Sequence, residues 1–451
     1  MKPLFRSGGG GVDPVAPRSG LRISHVRTLA VEWEGSLATI GAPLSEAFYF
    51  GRLAGFVDRA SEQLPRLIAR RTRTDVTVEG LRCGRFVAEA VHESLFDISG
   101  GDVLYLRTLD LAPLEDTGII AVLEDLFYEQ LTLVGTGSEE DAFSTAQDVL
   151  RSRGVDLATI PYSNEYHQLV LFPDQEEGFP WSRVQRIIYR LDMDAVEKYS
   201  DIRYPGELNR RSERGCALGP FVSVLWSQQD YIENLALLSS LMIVGASELV
   251  RGVRLDVHRE MQGVERLFRT GLTSGQQIRT IENEVLRLQQ AEGSFRTLLT
   301  FGGEAVATMM PMVPSLRAES YHRTLFVATG LEQQLALSWR MLEGLSRAVA
   351  VKGAALATLR TLRADASRRR WFAAAQFLVV VAAPLSLVLA FFSIQTTQVV
   401  PGTSMFDLTL YGGFYALFGA VGVAAALLFT LWWALDRFRI RRAIRDMSGT
   451  V

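Results

Sequence analysis

Two long apolar segments near the C-terminus constrain this chain more than any other feature. Residues 371–393 and 408–435 contain no charged side chain. Each is long enough to cross the hydrocarbon core of a bilayer, which takes roughly 20 helical residues. The sequence therefore predicts two transmembrane helices joined by an external loop at residues 394–407.

The distribution of arginine around these segments predicts their orientation. Three arginines directly precede the first segment, the loop contains no Lys or Arg, and residues 436–451 form a basic tail. By the positive-inside rule both termini lie in the cytoplasm, and the location expected is the bacterial inner membrane. A hairpin of two helices cannot enclose a pore alone, so conduction would require a homo-oligomer.

The first half of the chain predicts a cytoplasmic α/β domain at residues 20–226, after a disordered leader at residues 1–19. Helical patterns alternate with strand-like runs, which is typical of a sheet with helices packed on it. The helices are predicted at Ala54–Ala69, Ile119–Glu129 and Glu139–Arg153. The strands are predicted at Thr28–Trp33, Val103–Leu111, Leu131–Val134, Gln168–Phe172, Val184–Leu191 and Phe221–Trp226.

Residues 227–370 predict helices only: Gln228–Gly271, then about Gln276–Thr300, then a long stalk. No proline occurs between Pro314 and Pro384, which predicts one unbroken helix from Ser315 to Phe392. Seven of ten heptad positions in it are apolar, which favours a packed seam over a solvated spacer. These positions are Leu331, Leu335, Ser338, Leu342, Leu345, Val349, Lys352, Leu356, Leu359 and Arg363. The alternative is an ordinary helical hairpin in a globular core.

Composition and motifs argue against several functions. The net charge of -3 gives no indication of nucleic-acid binding. The two cysteines form no metal-binding pair and are expected to be reduced. The glycine-containing turn at residues 135–138 is followed by three acidic residues that would repel a phosphate. Because no hydrolase, Walker or zinc-protease motif occurs, we expect neither an enzyme nor a bound cofactor.

The order of these parts resembles the CorA family of divalent-cation channels. The sequence from Ala383 to Phe392 is similar to the Pro-Leu-Thr-containing end of the family's first membrane helix. In the family that stretch leads into Gly-Met-Asn at the selectivity entrance, whereas this chain has Ser393, Ile394 and Gln395 there. The resemblance implies a homopentamer in the lipid bilayer that passes divalent cations such as Mg²⁺, with Gln395 supplying amide oxygens at the entrance.

The first membrane segment has one stripe of mostly small or polar residues that could line a pore in the oligomer. The stripe consists of Gln376, Val379, Ala383, Ser386, Ala390 and Ser393. Small residues also favour close packing between helices, so this alternative remains open. The resemblance further implies that carboxylates sense Mg²⁺ at subunit contacts, and the candidates are Asp174, Glu176, Glu177, Asp192, Asp194 and Glu197.

Three functions are compatible with these features. The first is a divalent-cation channel gated by its cytoplasmic domain through the stalk helix. The second is a membrane effector of a bacterial signalling or defence system, in which the N-terminal domain senses a ligand or partner. The loss of Gly-Met-Asn favours this second function. The third is an enzyme or scaffold that the hairpin only anchors.

Overall fold

The computed structural model describes most of the chain between residues 20 and 393. The described ranges are 20–32, 44–60, 64–97, 102–134, 141–158, 165–173, 175, 177–190, 202–269, 275–309 and 313–393, with further residues between 402 and 438. Within them the chain has an N-terminal α/β sheet domain followed by a long helical region. The fold class predicted for these two parts is therefore confirmed, whereas the leader at residues 1–19 lies outside the described residues.

The described strands form one mixed sheet in the order β5-β2-β3-β4-β1-β6-β8-β7. Neighbouring strands are antiparallel except for β6 and β8, which are parallel. The strands are β1 Leu21–Glu32, β2 Arg66–Gly80, β3 Gly84–Asp97, β4 Asp102–Leu111, β5 Leu131–Val134, β6 Tyr166–Phe172, β7 Gly215–Leu218 and β8 Val222–Trp226.

Short helices cover one face of the sheet and form two separate apolar clusters with it. The first two helices of the chain are α1 Leu44–Ala47 and α2 Ala54–Arg59. The helices that cover this face come later and are α3 Asp116–Phe127, α4 Asp141–Ser152 and α5 Trp181–Tyr189. Helices α3 and α5 contribute to the cluster that contains Ile23 and Leu109. Helix α4 contributes to the cluster that contains Leu29 and Tyr105. The middle of this sheet face lies between the two clusters.

The first long helix, α6 Asp230–Arg269, belongs to the protein core. Its Glu233 forms an ion pair with Arg22 of β1, and its Ser240 hydroxyl lies 3.3 Å from the Tyr321 hydroxyl. Among the described residues, α6 is the one helix long and apolar enough to cross a membrane, but 83% of its most apolar stretch is buried inside the protein. Its apolar surface is therefore already covered by protein.

The later helices are α7 Gly275–Leu298, α8 Ala305–Met309, α9 Leu316–Ala328 and α10 Leu331–Ser393. The predicted single helix from Ser315 is wrong, because Gly330 adopts a left-handed conformation with φ +72° and separates α9 from α10. A π-helical segment, Leu299–Glu304, connects α7 to α8. A Cβ atom on Gly303 would lie only 2.6 Å from Leu335, so glycine permits close packing there.

The predicted packed seam of α10 is confirmed as far as the structure describes it. Leu331, Leu342 and Leu345 are fully buried, and burial continues through Val349 to Leu356. Arg363 is exposed, and the side chain of Leu359 lies outside the described set. The apolar repeat therefore predicted the buried face even where the helix boundary was missed.

Two further predicted elements are wrong. The run Val184–Leu191 was predicted as a strand, but its described part lies mainly in α5, where Val184, Ile187 and Ile188 are buried at helical spacing. The run Ala54–Ala69 was predicted as one helix, but α2 ends at Arg59 and β2 begins at Arg66. Both stretches are rich in apolar residues, whose spacing fits more than one element over so short a length.

The chain divides into two compact units. The first comprises Met1–Met261 and Gln290–Leu345, and it contains the whole sheet. The second comprises Gln262–Gln289 and Ser346–Val451. Within the second unit, an ion pair between Arg360 and Glu282 joins α10 to α7.

Candidate functional site

A row of polar side chains crosses the sheet between the two apolar clusters. The strand registers align Arg71 of β2 with Glu93 of β3, Glu93 with Arg107 of β4, Arg107 with His25 of β1, and His25 with Gln168 of β6. Directly opposed residues share one face of a sheet. Five adjacent strands therefore place polar groups side by side in the interior.

The residues next to this row in the strands extend it. Arg73 lies two residues beyond Arg71, Tyr105 two residues before Arg107, and Arg27 two residues beyond His25, so all three face the same side. We call the group of four guanidiniums, Arg27, Arg71, Arg73 and Arg107, the arginine belt. Three of these side chains are buried, and that of Arg73 is 12% exposed.

Glu93 is the central anion of the arginine belt. Its carboxylate accepts hydrogen bonds from Arg71 Nε at 2.7 Å and from Arg73 Nη2 at 2.8 Å, and Arg107 Nη2 lies 3.6 Å away. The Tyr105 hydroxyl donates to Glu93 and accepts from Arg107 Nε at 3.1 Å. Burial alone would raise the pKa of Glu93, but Arg107, Arg71 and Arg73 lower it to about 2. Glu93 is therefore ionised at neutral pH.

Arg27 has a different partner. It forms an ion pair with Glu129, which follows the C-terminal end of α3. The guanidiniums of Arg27 and Arg107 lie 5.0 and 5.4 Å from the centre of the Tyr105 ring. These groups border a narrow crevice that leaves no room for a water molecule, and its lining consists of His25, Arg27, Tyr105, Arg107, Leu126 and Glu129. The crevice has charged groups on opposite sides.

Carboxylates accompany all four guanidiniums of the arginine belt. Among the described residues, Glu93 lies next to Arg71, Arg73 and Arg107, and Glu129 forms an ion pair with Arg27. The buried Nε atom of Arg73 has no hydrogen-bond partner among the described residues. Buried guanidiniums are costly unless anions compensate them.

Burial, together with the neighbouring guanidiniums, shifts the pKa values of two groups in this row. Burial and the nearby Arg107 lower the pKa of Arg27 to about 9. Burial, followed by Arg27 and Arg107, lowers the pKa of His25 well below its ordinary value. His25 is therefore neutral at pH 7, whereas Arg27 remains a cation. This part of the sheet favours the binding of an anion.

The polar row continues beyond β1 to Gln168 of β6 and its hydrogen-bond partners. Gln168 donates to the carbonyl oxygen of Leu123 at 2.8 Å and accepts from Arg190 Nη2 at 2.6 Å. Arg190 follows α5 and lies 5.6 Å from the Phe127 ring centre. The ends of α3 and α5 are therefore tied to the same row of the sheet.

The predicted site residues lie elsewhere. Gln376 and Val379 are exposed on α10, as are Ser386 and Ala390. Ala383 and Ser393 are helical, but their side chains lie outside the described set, as do Ile394 and Gln395 entirely. Of the predicted carboxylates, Glu177 is described and exposed, and the others fall outside the described residues.

The arginine belt was not predicted, although the sequence contains one signal of it. Arg107 lies in the middle of the predicted strand Val103–Leu111, in which most residues are apolar. A charged residue inside such a strand needs an oppositely charged partner on an adjacent strand. Glu93 is that partner, but β3 was not predicted, so the pair could not be identified.

Comparison with family models, with curated proteins and with solved structures finds no match for this chain. Within the described part of the chain, no three His, Cys, Asp or Glu residues are grouped so as to hold a metal ion. The arginine belt is therefore the candidate functional site that the described residues provide.

Proposed function

We propose that this chain is an oligomeric membrane protein of CorA-like architecture, in which ligand binding to the N-terminal α/β domain controls a cation-conducting pore formed by the C-terminal hairpins. This function joins a sensor to a membrane output, as expected of an effector in a signalling or defence system. The observation that carries it is the concentration of four guanidiniums, three of them buried, in the interior of the sheet domain. Arginine side chains are rarely buried in a core that has only a structural role.

The exposed apolar surface of the second unit supports a membrane location. Trp371, Phe372, Leu378 and Val379 are each more than 60% exposed on α10. Further along, the exposed large apolar residues include Leu408, Leu417, Val423, Leu427, Leu431 and Leu435. Contiguous exposed apolar surface of this kind marks contact with lipid or with other protein chains. Lipid and neighbouring subunits together would cover both parts of the predicted hairpin.

A second candidate is a constitutive transporter of divalent cations, without a soluble ligand. The exposure of Gln376 and Ser386 on the predicted pore stripe favours it, because polar side chains in a membrane segment usually face protein or water. Gln395 would then supply the amide oxygens at the entrance. The two candidates differ in whether the N-terminal domain must bind something before cations pass.

The test measures entry of Mg²⁺ and Co²⁺ into liposomes that contain the full-length protein. If a ligand gates the pore, the wild type is nearly silent without ligand, and Arg27→Lys changes the basal flux. Arg85→Lys, at an exposed ion pair with Glu79, is the matched control and leaves the flux unchanged. Ser386→Leu should block any flux that occurs.

The outcomes separate the candidates. Strong wild-type flux without ligand, unaffected by Arg27→Lys, would establish the constitutive transporter. Flux that Ser386→Leu leaves intact would overturn the assignment of the pore stripe. Absence of flux from every variant, in protein shown to be oligomeric and inserted, would overturn the constitutive transporter and the control of the pore through Arg27.

A further inference from the structure

We propose that residues 13–18 of the N-terminal leader dock, within the same chain, on an exposed aromatic surface formed by Trp181 and Tyr204. This aromatic surface shares no residue with the arginine belt, and the inference is independent of the function proposed above. Residues 13–18 read Asp-Pro-Val-Ala-Pro-Arg, so they contain two prolines between charges of opposite sign. We call these six residues the leader segment.

The aromatic surface is rigidly held but exposed. Trp181 is 49% exposed and Tyr204 is 38% exposed, and their rings pack edge to face with centres 5.0 Å apart. Phe179 packs against Trp181 at 4.5 Å, and its ring occupies the space over Gly215 of β7 in which a Cβ atom would not fit. Gln185 Nε2 donates to the Tyr204 hydroxyl at 3.2 Å. Two large aromatic side chains are thus fixed in position with nothing among the described residues to cover them.

Proline is the ligand chemistry that a fixed aromatic surface favours. Segments in polyproline II conformation dock on aromatic side chains because their backbone is already restricted and loses little entropy on binding. This helix has three residues per turn, so it would place Pro14 and Pro17 on one edge. The leader segment would therefore present a continuous apolar edge to Trp181 and Tyr204.

The leader joins the sheet at the end that carries the aromatic surface. Gly20 directly precedes β1, and the strand registers align Arg22 of β1 with Cys216 of β7 through β6 and β8. Strands β1 and β7 are three strand spacings apart, which is about 14 Å. In polyproline II conformation the chain from Pro14 to Gly20 spans about 19 Å. The leader is therefore long enough to bring Pro14 to the aromatic surface beside β7.

An exposed carboxylate lies near the point where the leader joins the sheet. Gly20 is close to Leu111, since a Cβ atom on Gly20 would lie 2.9 Å from the Leu111 carbonyl oxygen. Glu115 follows four residues later, directly before α3, and has no ion pair among the described residues. Arg18 precedes Gly20 by two residues, so its guanidinium can reach this carboxylate.

Two exposed guanidiniums adjoin the aromatic surface. Arg203 is next to Tyr204 in the chain, and the residue after Arg211 accepts a backbone hydrogen bond from Phe179 at 3.0 Å. Neither arginine has an ion pair in the part of the chain that the structure describes. Asp13 lies at the end of the leader segment farthest from the sheet, so docking brings its carboxylate towards these cations. The charges at both ends of the leader segment therefore match those of the surface in order.

The covalent connection makes a weak contact sufficient. A short flexible linker gives an effective concentration on the order of 1 mM. A contact with a dissociation constant of about 0.1 mM would then be occupied roughly nine-tenths of the time. Because proteolysis follows the population of the open form, the docked segment should be cut about tenfold more slowly than a free one.

Limited digestion of the full-length protein in detergent with trypsin measures this docking. Trypsin cleaves after Arg6 and after Arg18, both of which are followed by serine, and Arg6 lies outside the leader segment. A synthetic peptide of residues 1–20 gives the intrinsic ratio of the two cleavage rates. In the protein, cleavage after Arg18 relative to cleavage after Arg6 should be about tenfold slower than in the peptide.

Substitutions on either side of the contact should remove this protection. Trp181→Ala removes one of the two exposed rings, and Pro14→Ala changes the leader without altering the sheet domain. Each should accelerate cleavage after Arg18 about tenfold and leave cleavage after Arg6 unchanged. Phe221→Ala, at an aromatic residue that is 51% exposed before β8, is the matched control and should retain the protection.

Several outcomes would overturn the proposal. Equal rate ratios in the protein and in the peptide would mean that the leader segment is not docked. Protection that survives Trp181→Ala or Pro14→Ala, or that Phe221→Ala also removes, would exclude this contact as its cause. Asp13→Cys combined with Arg203→Cys should form a disulfide within one chain on oxidation. A disulfide-linked dimer would instead assign the surface to the leader of a second copy.

Discussion

At the scale of single residues, Glu93 determines whether the arginine belt can be buried. Three guanidiniums and one phenol surround its carboxylate. Removal of one member of a buried ion-pair network leaves the other charges uncompensated, which costs more than the net contribution of the pair. The stability of the sheet domain should therefore depend strongly on this single carboxylate.

We predict that Glu93→Gln lowers the free energy of unfolding by about 3–5 kcal/mol, the range for breaking a buried ion pair. Denaturant unfolding of the detergent-solubilised protein measures the change. Glu79→Gln removes a half-exposed carboxylate paired with Arg85 and should cost at most about 1 kcal/mol. Equal effects of the two substitutions would contradict the central role of Glu93.

Buried histidines predict how stability depends on pH. Burial lowers the pKa of His25 well below 6.5, that of His167 to about 3 and that of His322 to about 4. In the opposite sense, burial and Glu248 raise the pKa of Glu165 to about 7. Between pH 6.5 and 4.5 the three histidines bind more protons in the unfolded chain, whereas Glu165 binds more in the folded chain. Summed over the four groups, the unfolded chain therefore binds more protons.

Stability should consequently decrease as the pH falls from about 6.5. Each proton of difference contributes a slope of about 1.4 kcal/mol per pH unit. His167→Gln removes one of these protons and should reduce the slope by about 1.4 kcal/mol per pH unit. Denaturant unfolding at several pH values measures the slope. Glu165→Gln provides the opposite comparison, since it removes a group that binds its proton more tightly in the folded chain and should make the slope steeper.

At the scale of secondary structure elements, Gly330 separates two helices that the sequence predicts as one. The prediction used the absence of proline, but a glycine with φ +72° ends a helix equally well. We predict that Gly330→Ala lowers the free energy of unfolding by about 1–2 kcal/mol, because alanine disfavours the left-handed conformation. Denaturant unfolding tests this prediction.

Gly344 provides a matched comparison within α10. An added Cβ atom there meets nothing within 4 Å, and the residue has a helical conformation. Gly344→Ala should raise the free energy of unfolding by about 0.5–1 kcal/mol. If both substitutions change stability in the same direction, the boundary between α9 and α10 is not set by the conformation of Gly330.

Elements with one clear hydrophobic pattern could be predicted from the sequence, whereas strands with buried charged residues could not. The apolar repeat of α10 and the apolar strand β8 have one dominant pattern each, and both were found. Strands β2 and β3 were missed because charged residues such as Arg71 and Glu93 occupy buried positions, which a hydrophobic pattern cannot register. The candidate site was missed for the same reason, since its residues become a site only when neighbouring strands pair them.

At the scale of the whole molecule, membrane orientation is the prediction that can be tested directly. Burial raises the pKa of the native thiol of Cys83 to about 12 and also raises that of Cys216, so both are poorly reactive. In intact spheroplasts, an impermeant maleimide should label Ser404→Cys in the predicted external loop. Glu213→Cys, in the N-terminal domain, should be labelled only after the membrane is opened. Labelling in the reverse order would contradict the predicted topology.

The row of aligned charges has a further consequence for how the chain folds. Side chains alternate between the two faces of a strand, so a slip of one residue moves a strand's charges to the opposite face. A slipped β3 would take the Glu93 carboxylate away from the buried guanidiniums of Arg71 and Arg107. Each incorrect register of a central strand is therefore less stable than the native one. The residues proposed to recognise a ligand would also favour the native strand register during folding.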